Sequence, residues 1–170
     1  LQDSATLAAE RDHQEIQPEH LLLAMLRQEG GIVTPVLQKV GVTADAVANV
    51  ADRETNRFPK VHGVEGDRTP SKRLNAVLER AMKIMGSMKD KYVAVEHLLL
   101  AIAQKEDDPA GQILKTFGLD HKTLIDAVAK TRGPRVVDSP DAENKYQALE
   151  RFTRDLTALA KQEKLDPVIG

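Results

Sequence analysis

The chain has 170 residues, a formal net charge of −2, and 41% hydrophobic and 29% charged residues, which is an ordinary globular composition. The near-neutral charge and the 3% aromatic content argue against binding to nucleic acid or to an anionic membrane. The chain has no cysteine, which excludes disulfide and thiolate chemistry. It also shows no apolar run long enough to span a membrane and no signal-peptide pattern.

The first predicted helices lie in the leading third of the chain. Leu1 has the character of a mid-helix residue, so we expect the native N-terminus to lie upstream of it. Pro18 begins a leucine-rich helix that Gly30-Gly31 ends, Thr34-Pro35 begins the next helix, and Gly41 ends that one. Strand-like alternation is weak throughout, so the predicted class is all-α.

The leucine-rich helix occurs twice. The hexapeptide Glu-His-Leu-Leu-Leu-Ala stands at residues 19–24 and again at residues 96–101, 77 residues later. At the same shift the match continues without a gap, so that Leu7 falls on Ile84, Gly41 on Gly118 and Val47 on Leu124. Such a register indicates one structural unit used twice. Two copies are too few for a solenoid and predict a closed, pseudo-symmetric globule.

The second copy shows the same run of four helices. Ser71 is a plausible cap for the first helix, the next holds residues 96–105, Asp108-Pro109 begin a short third helix that stops at Gly118, and the last stops before Gly133. The expected apolar stripe of the first helix is Leu74, Leu78, Ala81, Met85 and Met88, with Val77 and Ile84 on its flank.

The predicted boundaries follow from the repeat. The repeat domain covers residues 1–132, with a first repeat at 1–57, a connector at 58–70 and a second repeat at 71–132. Residues 133–143 combine Gly, Pro and Ser with mixed charge, which predicts a linker. Residues 144–170 begin with a new amphipathic helical pattern and end in an apolar, turn-rich segment, which we expect to be the start of a further module.

Histidines and carboxylates are the candidates for chemistry. His20 and His97 each follow a glutamate at a helix start, but neither the HExxH spacing nor a cysteine is present to complete a zinc site. We expect partly buried rings bonded to backbone or to the neighbouring repeat. Asp90 and Glu96 could do acid–base work or cap helices. The absence of a GxxxxGK[ST] phosphate loop predicts that this chain alone is not an enzyme.

A methionine-rich helix suggests a binding surface. Met82, Met85 and Met88 lie on one helix, and unbranched, adaptable side chains suit varied apolar partners. Core packing is the favoured interpretation for Met85 and Met88. Ile84 and Val77, off the main stripe, are the preferred candidates for an exposed groove.

These features together resemble a known family. The duplicated Glu-His-Leu-Leu-Leu-Ala helices, each followed by short glycine-ended helices, resemble the double Clp-N repeat. Residues 146–150, 154–157 and 165–170 are similar to the entry into the first AAA+ module of the ClpB-type members. The resemblance covers essentially the whole chain. The repeat alone is shared with ClpA- and ClpC-type members, which feed a protease.

The resemblance implies a fold and a function. The fold would be eight helices in two pseudo-twofold four-helix units, forming a mobile N-terminal domain on a cytoplasmic AAA+ homohexamer. The domain, a monomer when isolated, would engage apolar segments of unfolded or aggregated proteins for an ATP-driven disaggregase that works with the DnaK chaperone system in stress recovery. This chain would need no cofactor, whereas the whole protein would bind ATP and Mg²⁺, with Val168 and Ile169 against the adenine ring.

The resemblance also implies a site and leaves alternatives open. Matched to this chain, the family's substrate groove involves Asp90, Glu96 and the apolar residues near Ile84. The chain departs from the pattern at Arg80 and His97, which are polar where related chains can carry apolar groove residues. The first alternative is the adaptor-binding domain of a ClpC- or ClpA-type unfoldase, and the second is a small helical enzyme.

Overall fold

The computed structural model describes residues 2–63 and 68–133. These residues form eight helices: α1 (Gln2–Glu10), α2 (Pro18–Leu26), α3 (Val33–Val40), α4 (Ala44–Thr55), α5 (Lys72–Ser87), α6 (Val95–Gln104), α7 (Pro109–Thr116) and α8 (His121–Arg132). The all-α class is confirmed. Four helices fall in each repeat, as predicted. The proposed linker after Gly133 and the segment 144–170, with Val168 and Ile169, lie outside the described residues.

A short parallel strand pair was not predicted. Strand β1 (Glu15–Ile16) pairs with strand β2 (Thr69–Pro70), and the Ser71 amide adds a hydrogen bond to the Ile16 carbonyl at 3.0 Å. The pair joins the turn before α2 to the connector that leads into α5. The connector is therefore tied to the first repeat by backbone hydrogen bonds.

Local chemistry sets three helix ends where the sequence indicated, whereas α2 ends at Leu26, ahead of the predicted Gly30-Gly31. The side chains of Ser71 and Asp108 accept hydrogen bonds from the amides of Leu74 and Ala110, each at 3.1 Å, and so cap α5 and α7. Gly41 closes α3 with a φ of 86°, a left-handed conformation that glycine adopts at little cost.

The core is shared by the two repeats. The two leucine-rich helices lie at its centre, and Leu22 in α2 and its equivalent Leu99 in α6 are fully buried. α2 packs on α1 and α4, α6 packs on α5 and α8, and α2 also touches α6. Across the repeats α3 packs on α8, and α7, the equivalent of α3, packs on α4. Each repeat thus packs its third helix on the fourth helix of the other repeat, as expected for two units related by a pseudo-twofold axis.

The buried face of α5 corrects one prediction. That face consists of Leu74, Val77, Ala81 and Ile84, whereas Leu78, Met85 and Met88 lie half-buried at its edge. The expectation that Val77 and Ile84 lie on an exposed flank is therefore wrong. The predicted stripe and the observed face both follow a helical spacing of three and four residues. In the structure, the face that carries the β-branched Val77 and Ile84 is the one buried where α5 packs against α6.

No helix of the described residues is both long and apolar enough to cross a membrane.

Candidate functional site

An ionic network lies inside the second repeat. Both terminal nitrogens of the Arg132 guanidinium donate to the Asp90 carboxylate, at 2.9 and 2.6 Å. The Nε2 atom of His97 lies 2.6 Å from the same carboxylate, and Glu96 lies 3.6 Å from Arg132. All four side chains are buried. Burial alone would lower the pKa of Arg132, but its bonds to Asp90 and the charge of Glu96 raise it, so the guanidinium stays charged.

The hydrogen bonds of His97 define its proton. Its Nδ1 atom accepts from the backbone amide of Ala94 at 2.7 Å, so the ring's proton is on Nε2, which donates to Asp90. A histidine here takes the place of the glutamate or glutamine of a capping box at the start of α6. The network thereby fixes the chain at Asp90 and again at Ala94.

The segment between these two anchors carries apolar side chains into solvent. We call residues 89–93 the Tyr92 turn. It begins at Lys89, whose φ is 61°, and it exposes 43% of Tyr92 and 40% of Val93. In the described part of the chain, the backbone amides of Tyr92 and Val93 donate no hydrogen bond. Met82 is 59% exposed on α5, the helix that leads into the turn.

The structure brings together only some of the predicted site residues. Asp90, Glu96 and His97 share one network, but beneath the surface, so they support the Tyr92 turn and do not line an open groove. Arg80 is half-buried, and its Nε donates to the Ala101 carbonyl at 3.1 Å. Val77 and Ile84 belong to the core, as described above.

Sequence reasoning missed Arg132 as a network member and Tyr92 and Val93 as exposed apolar residues. One signal could have found Arg132. It follows Leu124 and Val128 at intervals of four, so it continues the buried face of α8 as a charged residue. No repeated spacing marks Tyr92 and Val93, because they lie between the helical patterns of α5 and α6.

The first repeat holds a neutral counterpart of the network. The Nδ1 atom of His13 lies 2.7 Å from Nε2 of His20, and Nδ1 of His20 accepts from the Gln17 amide at 2.8 Å. The Phe58 ring packs edge-on against both imidazoles. Burial, with help from His13 and Arg11, lowers the pKa of His20 to about 4, and burial also lowers the pKa of His13. The predicted structural, backbone-bonded role of His20 and His97 is confirmed, although both rings are fully buried.

A second ionic cluster connects the repeats. Arg73 at the start of α5 binds Asp108 at the start of α7, with two nitrogen–oxygen distances of 2.9 Å, and Glu19 at the start of α2. The hydrogen bonds that Arg73 donates to Asp108 raise the pKa of Arg73, even though burial lowers it. Arg73 is thus a charged link between the first and second repeats.

The arrangement favours binding over chemistry. Asp90 and Glu96 face Arg132 inside the fold, and both carboxylates are buried. Among the described residues, no three His, Cys, Asp or Glu side chains are grouped so that they could hold a metal ion. What the network presents to solvent is the Tyr92 turn, in which Tyr92 and Val93 are exposed beside Lys89 and Lys91.

Comparison with known proteins identifies the family. The profile of the Clp repeat N-terminal domain matches residues 1–117 of the chain. The chain belongs to the Clp repeat N-terminal domain family. The chaperone protein ClpB of Vibrio cholerae serotype O1 is 41% identical over 170 residues, which cover 100% of this chain and 20% of that protein. The chain thus spans about a fifth of the length of the ClpB protein it matches.

Solved structures share the fold of this Clp repeat domain. The Hsp104 N-terminal domain from Candida albicans matches with a TM-score of 0.71 and 24% identity, over 84% of this chain and 92% of that one. The complex of the ClpV N-domain with a VipB peptide matches with a TM-score of 0.59 and 20% identity, over 75% and 79% of the two chains. At these identities the likeness concerns the fold.

Proposed function

We propose that this chain is the client-binding and regulatory domain of a ClpB-type disaggregase, which engages exposed apolar segments of unfolded or aggregated proteins. The observation that carries the proposal is the Tyr92 turn, where Tyr92 and Val93 are exposed between the buried Asp90 and the hydrogen-bonded amide of Ala94. A backbone that is already fixed loses little conformational entropy when it binds a partner. Apolar side chains on such a backbone suit many clients, because the hydrophobic effect is non-directional.

Family membership is a second, independent argument for the proposal. The relative reported above is a chaperone, and the ClpV N-domain, which has the same fold, was solved with a bound peptide. We infer that this chain also takes a peptide segment, by contacts at the Tyr92 turn and at Met82 on α5. The area these side chains offer is modest, so the expected affinity is micromolar or weaker.

The buried residues have a supporting role in this proposal. Asp90, Glu96 and His97 act as positioning residues, which hold the turn through Arg132 and Ala94 and do not themselves contact the client. Ile84 and Val77 lie on the buried face of α5 and so hold the helix with its exposed face, which carries Met82, towards solvent. Arg80 links α5 to α6 by its hydrogen bond to the Ala101 carbonyl. The expectation from the resemblance, that these six residues contact a client directly, stays a prediction, and the present proposal gives them the supporting role instead.

The remaining expectations concern the whole protein. We propose that it assembles as a cytoplasmic homohexamer, works with the DnaK chaperone system, and binds ATP and Mg²⁺ in AAA+ modules, with Val168 and Ile169 at the adenine ring. The repeat domain would end near Arg132, and residues 133–143 would link it to the first module. Isolated, this chain would be a monomer that binds clients without a cofactor.

The test is a titration of the chain into a permanently unfolded, fluorescently labelled model client without nucleotide. We expect the double variant Tyr92→Ser, Val93→Ser to bind at least about threefold more weakly, with an unchanged melting temperature. The matched control is Ile125→Ser on α8, since Ile125 is 47% exposed and should not matter. Equal binding of the double variant, or binding that requires ATP, would contradict the proposal. Binding only to a folded adaptor would favour the ClpC- or ClpA-type alternative.

A further inference from the structure

Two side chains of the second repeat reach the backbone of its leucine-rich helix, and their first-repeat equivalents are too short to do so. Arg80 donates to the Ala101 carbonyl at 3.1 Å, and Nδ1 of His121 lies 3.1 Å from the Leu100 carbonyl. At the shift of 77 residues, Arg80 corresponds to Asp3 and His121 to Ala44. The first repeat has an open pocket at each of these two positions.

The pocket at Asp3 has a definite chemistry. It lies between α1 and α2 and has a volume of about 260 Å³. Its lining includes the acidic residues Asp3 and Glu10, together with Ala24 and Gln28. Leu7 supplies an apolar wall. The pocket therefore combines hydrogen-bond acceptors and negative charge with a surface for an aliphatic stem.

One cation also lines this pocket. Arg27 lies at its edge, with half of its side chain exposed, and its guanidinium is 3.6 Å from Asp52. Asp52 also binds Arg11, so two arginines share this carboxylate. Within the pocket lining, the carboxylates of Asp3 and Glu10 outnumber the single cation Arg27, so the lining is net negative.

We propose that this pocket binds an arginine side chain of a bound protein segment, in the place that the chain's own Arg80 fills in the second repeat. A guanidinium has five donors and no acceptor, which matches a lining that contains Asp3, Glu10 and Ala24, the equivalent of Ala101. The methylene stem would lie along Leu7. The inference rests on the proposed function only in taking the arginine to come from a client.

The first experiment uses a short probe. An acetylated, amidated Gly-Ser-Arg-Ser-Gly peptide is titrated into the isotope-labelled 170-residue chain, and its twin with citrulline in place of arginine keeps the shape but removes the charge. We expect amide shifts in residues 3–10 and 24–28, and about tenfold weaker binding of the citrulline peptide, as the loss of a charge-assisted hydrogen bond predicts. Equal binding of the two peptides, or shifts confined to other residues, would overturn the proposal.

A pair of variants tests the comparison between the repeats. Asp3→Arg should let the new side chain bond the Ala24 carbonyl as Arg80 bonds that of Ala101, and so abolish the arginine-dependent shifts. Asp45→Arg is the matched control, because Asp3 and Asp45 both lie in the first turn of a helix and the charge change is identical. The control should bind the peptide as the parent chain does. Unchanged binding by Asp3→Arg would overturn the proposal.

The unfolded-client titration distinguishes this proposal from the proposed function. If the arginine peptide binds at α1 and α2 while the unfolded client binds nowhere, the pocket stands and the client-binding function fails. If the client binds through the Tyr92 turn while the arginine and citrulline peptides are equivalent, the function stands and the pocket proposal fails.

Discussion

His13 and Asp90 occupy the same position in the two repeats, and each bonds the Nε2 atom of its repeat's helix histidine, His20 at 2.7 Å and His97 at 2.6 Å. In both repeats, Nδ1 of that histidine accepts a hydrogen bond from the backbone amide of the residue three positions earlier. One backbone site thus holds a neutral pair in the first repeat and an ionic network in the second. The two repeats should therefore respond differently to acid and to mutation.

Acid should destabilise the first repeat. Burial sets the pKa of His20 at about 4 in the folded chain, and it lowers the pKa of His13. At pH values between about 6.5, the ordinary histidine pKa, and about 4, the unfolded chain binds more protons than the folded chain. The stability that the neutral, buried histidines contribute is therefore fully present above pH 6.5 and is lost as the pH falls below it. We expect the free energy of unfolding to fall by about 2 kcal/mol between pH 7 and pH 5, measured by urea denaturation.

Two variants control this pH experiment. His13→Asn removes one titrating ring but keeps an acceptor for His20, so the loss between pH 7 and pH 5 should shrink. His62→Asn removes an exposed histidine and should leave the loss unchanged. A loss that is equal in the parent and in His13→Asn would show that His13 does not contribute to it.

Removing Arg132 should be costly. Arg132→Met removes both hydrogen bonds that Arg132 donates to the buried Asp90 carboxylate, and breaking a buried pair from one side costs about 3–5 kcal/mol of unfolding free energy. Lys130→Met on the same helix breaks the exposed pair with Asp126 and should cost less than about 1 kcal/mol. The double variant Asp90→Asn, Arg132→Met should recover part of the loss. A small effect of Arg132→Met alone would mean that the network is open to water.

The register of α5 can be tested by two serine substitutions. Ile84→Ser places a hydroxyl in the core and should cost about 2–4 kcal/mol of unfolding free energy, close to the cost of Leu99→Ala. Met82→Ser on the exposed face should cost less than about 0.5 kcal/mol and should weaken client binding. Equal stabilities of the two serine variants would support the register first predicted from the sequence, with Ile84 on the flank.

The sequence predicted what depends on local chemistry. The Ser71 and Asp108 caps and the Gly41 helix end follow from side-chain oxygens and a left-handed backbone within a few residues, so they could be placed without the fold. The ungapped repeat predicted the pseudo-twofold core because equivalent sequences bury equivalent faces.

The rest required contacts between distant residues. The buried face of α5 could not be chosen by spacing alone, since stripes through Val77 or Leu78 both satisfy the helical period. Arg132 lies 42 residues from Asp90, and no local pattern relates the two. The β1–β2 pair likewise joins segments separated by three helices. Long-range pairings of this kind decide which of the candidate site residues are buried.

Hydrogen exchange of the chain with and without an unfolded client tests the central claim most directly, because it asks where the client sits. The amides of Tyr92 and Val93 donate no hydrogen bond within the described residues, so they should exchange fast in the free chain. We predict that a saturating client slows exchange most at residues 91–93 and leaves α8 around Ile125 unchanged. Unaltered exchange in the Tyr92 turn, together with protection of α8 or of the first repeat alone, would contradict the proposed site.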